Sequence, residues 1–154
     1  MLKIRSEIFC WNTEIAEELE RINDPIGPEL KNHKRSCCYE IGIGDWDWES
    51  YQTTIEEWKK EFKQYISERN NNRKDTIGYN DLSIVALAHS LGLPLVSMEK
   101  PVSVGPGQQS SKKLRIPDLC ERVQVEHYTF IALCKKERIS DEPSGNSINP
   151  IGAR

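Results

Sequence analysis

Two carboxylates frame the most apolar stretch of the chain. This stretch runs from residue 78 to 101 and reads GYNDLSIVALAHSLGLPLVSMEKP. Asp81 stands where an apolar helix is predicted to begin, and Glu99 follows a short apolar strand directly. Ligands of open α/β sheets bind at the carboxyl ends of the strands, and a right-handed crossover brings the helix N-terminus to the same edge. The sequence therefore predicts that Asp81 and Glu99 are neighbours.

Like charges at one sheet edge favour a positive ligand between them. A divalent cation is the usual choice, because it binds carboxylate oxygens and removes their mutual repulsion. Taken singly, Asp81 is typical of a first-turn carboxylate stabilised by the helix dipole, and Glu99 is typical of a polar strand end. The joint arrangement of Asp81 and Glu99 is what indicates a metal site.

A third candidate, Glu18, lies in the segment IAEELERI. At about 100° per residue, the apolar residues of this segment centre on one face of a helix. Glu17 points away from that face, and Glu20 is also predicted to be solvated. Glu18 lies on the flank of the buried stripe, so it is the better candidate for an interior role. The pattern alone favours neither a functional nor a purely solvated role for Glu18.

Asp118 follows Pro117 in the segment KKLRIPDLCE. Proline at the first helical position and aspartate in the first turn are ordinary helix-start chemistry, which is the alternative to a functional role. Lys112, Lys113 and Arg115 form a basic cluster just before this segment. Such a cluster either contacts the phosphates of a nucleic acid or belongs to a solvated loop.

Other chemical motifs are weaker. His33, Cys37 and Cys38 lack the spacing of a zinc site. His89 and His127 are each expected to have no serine or cysteine nucleophile beside them. The sequence also contains no glycine-rich phosphate loop and no dinucleotide-binding fingerprint.

The composition is that of a soluble globular protein. The chain has 154 residues, enough for one domain with one core, and a net charge of -3 that argues against indiscriminate nucleic-acid binding. Its five cysteines are an odd number, which favours a reducing compartment over a disulfide framework. No segment is typical of a signal peptide or a membrane span. The expectation is a cytoplasmic protein that does not enter the membrane.

The elements that must position the candidate residues alternate between helices and short strands, which predicts an α/β fold with a parallel sheet. Residues 103–111 are predicted to be flexible, and the tail 140–154 is predicted to be disordered. The predicted strands are Leu2 to Cys10, Cys37 to Ile43 and Leu93 to Met98. The predicted helices are Thr13 to about Ile22, Ile26 to Asn32, Tyr51 to Glu68, Asp81 to Ser90 (closed by Gly92), Asp118 to Arg122 and Phe130 to Lys136.

Four features in this order resemble the PIN-domain nucleases, and within them a PIN-like group of bacterial toxin components. They are a helix with an acid before its terminal leucine, an Asp-opened alanine-rich helix, a strand ending in an acid and Lys-Pro, and a lysine-rich loop leading into IPDLC. The similarity covers roughly residues 8–139, which would make residues 1–139 one PIN-like domain. It is strongest in LSIVALAHSLGLPLVSMEKP and KLRIPDLCE.

The resemblance implies a three-layer α/β/α sandwich and cleavage of RNA with Mg²⁺ or Mn²⁺. Glu18 and Asp81 match two acids of the family's catalytic metal cluster, and Glu99 falls where a further acid usually stands. Asp118 matches a recurring residue of the subgroup with a less certain role in metal binding. The implied partners are an RNA substrate and an antitoxin protein, and a homodimer remains open.

The family normally begins with a strand that ends in Asp-Ser or Asp-Thr, and the sequence is predicted to lack such a strand before Glu18. The chain would then be a truncated copy, start upstream of Met1, or have lost catalysis. Leu2 to Cys10 is expected to re-pair in place of the lost strand. Two alternatives to a toxin-type ribonuclease follow: a non-catalytic remnant that binds RNA or a protein, and an unrelated α/β domain whose acids only cap helices.

Overall fold

The structure is a computed structural model that describes residues 10–22, 38–72, 74, 76–102 and 113–137. Helices and short parallel strands alternate in it, so the predicted α/β class is confirmed. The strands are β1 (Trp11–Asn12), β2 (Cys38–Tyr39), β3 (Leu95–Ser97) and β4 (His127–Thr129). The α-helices are α1 (Thr13–Glu20), α2 (Trp48–Glu61), α3 (Tyr79–Leu91), α4 (Ile116–Arg122) and α5 (Phe130–Lys136), and 3-10 turns lie at Lys63–Tyr65 and Ser67–Arg69.

The strands pair in parallel, as predicted, but within the described ranges they form two separate two-stranded sheets. β1 pairs with β2, so that Asn12 is aligned with Tyr39. β3 pairs with β4, so that Ser97 is aligned with Thr129. A parallel bridge between Ile66 and Ile77 adds a third extended contact. In each pair the carboxyl ends of both strands lie at the same edge.

Local side-chain chemistry fixes the ends of the helices. The side chains of Asn12, Asp47 and Thr129 each accept a hydrogen bond from the backbone N–H three residues later, which caps α1, α2 and α5. Gly92 closes α3 in the left-handed conformation, with φ of +62°, where a side chain would be strained. The predicted stop at Gly92 is therefore confirmed.

Helix α3 lies in the centre of the main core. Leu82, Val85 and Ala86 are completely buried, because this helix is apolar around most of its circumference. Helix α2 packs on it, and the Trp58 ring lies against that of His89 with their centres 5.4 Å apart. The prediction of a buried helix between the two candidate acids is confirmed.

A short strand does precede Glu18, but it ends in Asn12 and not in the Asp-Ser or Asp-Thr that the family normally has at this place. β1 ends at Asn12 and passes directly into α1 at Thr13. Two residues are too few to show the alternation by which strands are recognised in a sequence. The strand predicted from Leu2 to Cys10 lies outside the described residues, apart from Cys10.

The helix predicted from Tyr51 to Glu68 ends at Glu61. Tyr65 and Ile66 continue its helical spacing and are buried, but they belong to a 3-10 turn and to the bridge with Ile77. Helical spacing of apolar residues predicts which side chains are buried. Tyr65 and Ile66 are buried as predicted, although the α-helix has already ended before them.

The remaining boundaries follow the predictions to different degrees. Helix α5 has the predicted ends, and α4 begins two residues before Asp118. Of the strand predicted from Cys37 to Ile43, the described residues 38–43 contain β2, and β4 was not predicted from the sequence. The helix predicted from Ile26 to Asn32, the loop 103–111 and the tail 140–154 lie outside the described residues.

Candidate metal and nucleic-acid site

Asp81 lies in the first turn of α3 and is half-buried. One of its carboxylate oxygens accepts a hydrogen bond of 2.8 Å from the Gly78 N–H. Burial raises the pKa of Asp81, and the charges of Glu99, Glu18 and Glu68 raise it further, against the lowering effect of the Gly78 bond. Because the charges of the other three residues all affect the pKa of Asp81, we refer to Glu18, Glu68, Asp81 and Glu99 together as the acidic cleft.

Glu18 reaches this cleft from α1. Its carboxylate accepts a hydrogen bond of 2.6 Å from the side-chain amide of Asn80, which precedes Asp81. The sequence makes Glu18 the better candidate for an interior role, but it is exposed, as is Glu17. The buried residue of α1 is Ala16, so α1 turns a narrower face to the core than its apolar spacing indicates.

Glu99 joins the end of β3 to the start of α4. It is exposed, and its carboxylate accepts a hydrogen bond of 3.0 Å from the Ile116 N–H. Asp118 accepts hydrogen bonds from the backbone N–H groups of Arg115, at 3.0 Å, and Val102, at 3.1 Å. The helix-start role of Asp118 is thus confirmed, and both acids hold the same turn of the chain.

Asn12 is the residue that ends β1, at the place where the PIN-like resemblance leads us to expect an aspartate. It is 1% exposed. Its amide donates hydrogen bonds to the Tyr51 hydroxyl, at 3.1 Å, and to the Ser83 hydroxyl, at 2.7 Å. Ser83 donates in turn to the Asn80 carbonyl. This network connects the end of β1 to the beginning of α3, beside Asp81.

Glu68 is a member of the cleft that the sequence analysis missed. Its carboxylate accepts hydrogen bonds of 2.9 Å from the Tyr79 N–H and the Ser67 hydroxyl. Burial alone would raise the pKa of Glu68, but these hydrogen bonds outweigh it and the pKa is lowered. No local pattern marks Glu68, because the pairing of Ile66 with Ile77 brings it to α3.

His127 has a serine beside it, contrary to prediction. Its Nε2 atom lies 2.9 Å from the Ser97 hydroxyl, across the paired strands β4 and β3. Burial lowers the pKa of His127, and the charge of Glu99 raises it to a smaller extent. The Ser97 hydroxyl also accepts a hydrogen bond from the Glu99 N–H. This pair therefore supports the turn that carries Glu99.

The predicted basic cluster is described only in part. Lys113 is exposed and Arg115 is half-buried, whereas Lys112 lies outside the described residues. The Arg115 guanidinium donates a hydrogen bond of 3.4 Å to the carbonyl of Lys100, next to Glu99. Positive charge therefore lies beside the acidic cleft.

The oxygen donors of the cleft suit Mg²⁺ or Mn²⁺, which prefer carboxylate ligands. Burial is the main cause of the raised pKa of Asp81, and the smaller contribution of the neighbouring negative charges is one that a cation would offset. Within the described ranges, however, no three Asp, Glu, His or Cys side chains are grouped closely enough to hold an ion. The donor chemistry fits a divalent cation, but a closed ligand set is not formed.

Comparison with known proteins adds no relative. No protein-family model, curated protein or solved structure matches this chain. The PIN-like resemblance therefore remains a prediction that depends on the sequence motifs. Among the helices of the described segments, none combines the length and apolarity needed to cross a bilayer.

Proposed function

We propose that the chain is a PIN-like, metal-dependent ribonuclease of toxin type, acting in the cytoplasm, with the acidic cleft as its active site. The proposed fold is the three-layer α/β/α sandwich of that family. The main support is that the charges of Glu99 and Glu18, which come from separate parts of the chain, both raise the pKa of Asp81 at the start of α3. Carboxylates that repel one another in this way are typical of a cation site.

Each residue has a distinct role in this proposal. Asp81, Glu18 and Glu99 would hold Mg²⁺ or Mn²⁺ through the oxygens that their backbone and amide partners leave open. The bound cation would supply acidified water and neutralise charge on the phosphate. Lys113 and Arg115 would contact the neighbouring phosphates of an RNA strand.

A second candidate function is a non-catalytic protein that binds RNA or a partner protein. Asn12 favours it, because a neutral, hydrogen-bonded amide stands where the resemblance leads us to expect an acid. The absence of three grouped ligands in the described residues favours it as well. Under this proposal the cleft acids serve mainly to hold backbone N–H groups.

The deciding experiment combines calorimetric titration with Mn²⁺ and an RNA cleavage assay. For the first proposal we expect Mn²⁺-dependent cleavage that falls at least about 100-fold in Asp81→Asn, the effect of removing one ligand of a catalytic metal. The amide oxygen can still accept from Gly78, so folding should be retained. Asp45→Asn, at an exposed acid outside the cleft, is the matched control and should cleave normally.

The outcomes separate the two proposals. Undiminished cleavage by Asp81→Asn would reject Asp81 as a ligand. RNA binding without cleavage and without Mn²⁺ binding would favour the non-catalytic protein. If neither Mn²⁺ nor RNA binds, both proposals fail and the acids only cap helices.

A further inference from the structure

A second cavity opens at the carboxyl ends of β1 and β2. It has a volume of about 280 Å³ and is lined by Glu14, Tyr39, Glu40, Ile41 and Tyr51, among others. Ligands of parallel sheets bind at this edge of the strands. The cavity differs from the acidic cleft, since none of the four cleft acids lines it.

Among the described residues, the charged side chains that line this cavity are both negative. Glu14 and Glu40 are half-buried, and within the described part of the chain neither carboxylate accepts a hydrogen bond or forms an ion pair. The described residues that line the cavity include no lysine, arginine or histidine. Burial raises the pKa of both Tyr39 and Tyr51, so their hydroxyls stay neutral. The two glutamates therefore set the charge.

The walls beside these carboxylates are aromatic. Trp46 packs behind the cavity between Tyr39 and Tyr51, and each tyrosine ring centre lies 5.2 Å from that of Trp46. The hydrogen bond from Asn12 fixes the Tyr51 hydroxyl. Tyr51 is only 1% exposed, so the half-buried Tyr39 is the ring that offers aromatic surface beside the two glutamate carboxylates.

A guanidinium group satisfies both features. It is planar, donates N–H groups to carboxylates in pairs and stacks on aromatic rings, and it is more weakly hydrated than an ammonium group. A divalent cation is a poorer fit, since no three metal-binding side chains are grouped in the described ranges. The two carboxylates of the cavity would repel a phosphate, so a phosphate ligand is excluded as well.

The mouth of the cavity indicates where the guanidinium comes from. Ile41 lines the cavity and is 46% exposed, and Ile43 in the same turn is 61% exposed. Exposed apolar side chains next to a polar pocket are typical of a surface that binds a polypeptide. We propose that this cavity binds an arginine side chain of a partner polypeptide whose neighbouring apolar residues cover Ile41 and Ile43.

The test is calorimetric titration of the full chain with the peptide acetyl-Leu-Arg-Leu-amide and with its citrulline counterpart. Citrulline has almost the same shape as arginine but carries no charge. We expect the citrulline peptide to bind at least about ten-fold more weakly, as for a lost charge-assisted contact. Arginine amide alone should bind about ten-fold more weakly than the arginine peptide, since it does not reach the two isoleucines.

Matched variants locate the site. Glu14→Gln combined with Glu40→Gln should weaken the arginine peptide at least about ten-fold. Glu17→Gln combined with Glu49→Gln makes the same change in net charge at exposed residues outside the cavity and should leave the affinity within about two-fold.

Ile43→Ser is a second, surface variant that should weaken the peptide without affecting arginine amide. Three results would overturn the proposal: no binding of the arginine peptide, equal binding of the citrulline peptide, or equal weakening by both double variants. Equal affinity for arginine amide and the arginine peptide would overturn the assignment to a polypeptide.

Discussion

Asn12→Asp is the most informative substitution for the proposed metal site. Asn12 is only 1% exposed. The substitution puts a carboxylate oxygen in the place of its amide nitrogen. The Tyr51 hydroxyl can turn to donate to the new oxygen. The Ser83 hydroxyl can do so only by giving up its 2.8 Å bond to the Asn80 carbonyl. The lost hydrogen bond should lower the free energy of unfolding by about 1–3 kcal/mol, before the cost of burying the charge.

Manganese should reverse this loss. If the proposed function is right, the new carboxylate, at the end of β1 and next to Ser83 in α3, would add a metal ligand to those of the acidic cleft. A ligand that binds only the folded state stabilises it by about 2.7 kcal/mol at a concentration of about 100 times its Kd. The variant should therefore recover most of the lost stability in saturating Mn²⁺, whereas the unmodified chain should gain less. RNA cleavage should rise in parallel.

The assay is urea unfolding at pH 7 with and without Mn²⁺. Asn70→Asp is the matched control, because the Asn70 amide also donates two hydrogen bonds, to the carbonyls of Ile66 and Lys63, but lies outside the cleft. This control should be destabilised and should not respond to Mn²⁺. Equal stabilisation of both variants, or no response of a folded Asn12→Asp variant, would refute the assignment of position 12 to the metal site.

Three further predictions follow from the same structure. The pKa of Asp81 is raised above 3.8 in the folded state, so the folded state binds the carboxyl proton more tightly than the unfolded state. The free energy of unfolding should therefore fall as the pH rises from 3.8 through the folded-state pKa. Asp81→Asn should remove this part of the pH dependence in urea unfolding. The pKa of His127 is lowered from 6.5, so stability should instead fall as the pH drops below 6.5, and His127→Gln should flatten that slope in the same titration. Gly92→Ala should lower the free energy of unfolding by about 1–2 kcal/mol, because φ at this position is +62°. Nothing lies within 4 Å of the added methyl group, so backbone strain alone causes this loss. An unchanged Tm in thermal unfolding would contradict this reasoning.

The parts of the fold that the sequence predicted are those with strong local signals. Helix α3 is apolar on nearly every side, and Gly92 marks its end, so its type, burial and C-terminal stop could be derived without any partner. Pro117 and Asp118 marked the start of α4 in the same way. A helix that carries its own start and stop chemistry is defined by neighbouring residues alone.

The strands carried much weaker signals. β1 and β2 have two residues each, and β4 has three, which is too short for alternation to be distinguished from chance. These strands exist because parallel partners distant in the chain pair with them. The sequence therefore predicted the helices of this fold better than its strands.

The candidate site, too, has parts that could be predicted from the sequence and parts that could not. Topology alone brought Asp81 and Glu99 to one edge, since a helix start and a strand end meet there. The Asn12 network could not be predicted, because its hydrogen bonds join residues that are far apart in the sequence. Tyr51 is 39 positions from Asn12, and Ser83 is 71 positions from it. Glu68 belongs to the cleft because of the parallel bridge between Ile66 and Ile77, which no local sequence pattern indicates.

The backbone hydrogen bonds of the cleft acids bear on how such a gene would evolve. Asp81, Glu99 and Glu68 each hold a backbone N–H, so selection for folding alone would preserve an oxygen acceptor at these positions. If catalysis were lost, these acids would decay slowly and mainly towards Asn or Gln, which keep the acceptor. Without a bound cation, an aspartate at position 12 would be a buried and uncompensated charge, whereas asparagine still caps α1 and donates to Tyr51 and Ser83. Among descendants of one ancestor, the residue at position 12 would therefore change early and record the loss of catalysis, while the acids that hold the backbone would still be in place.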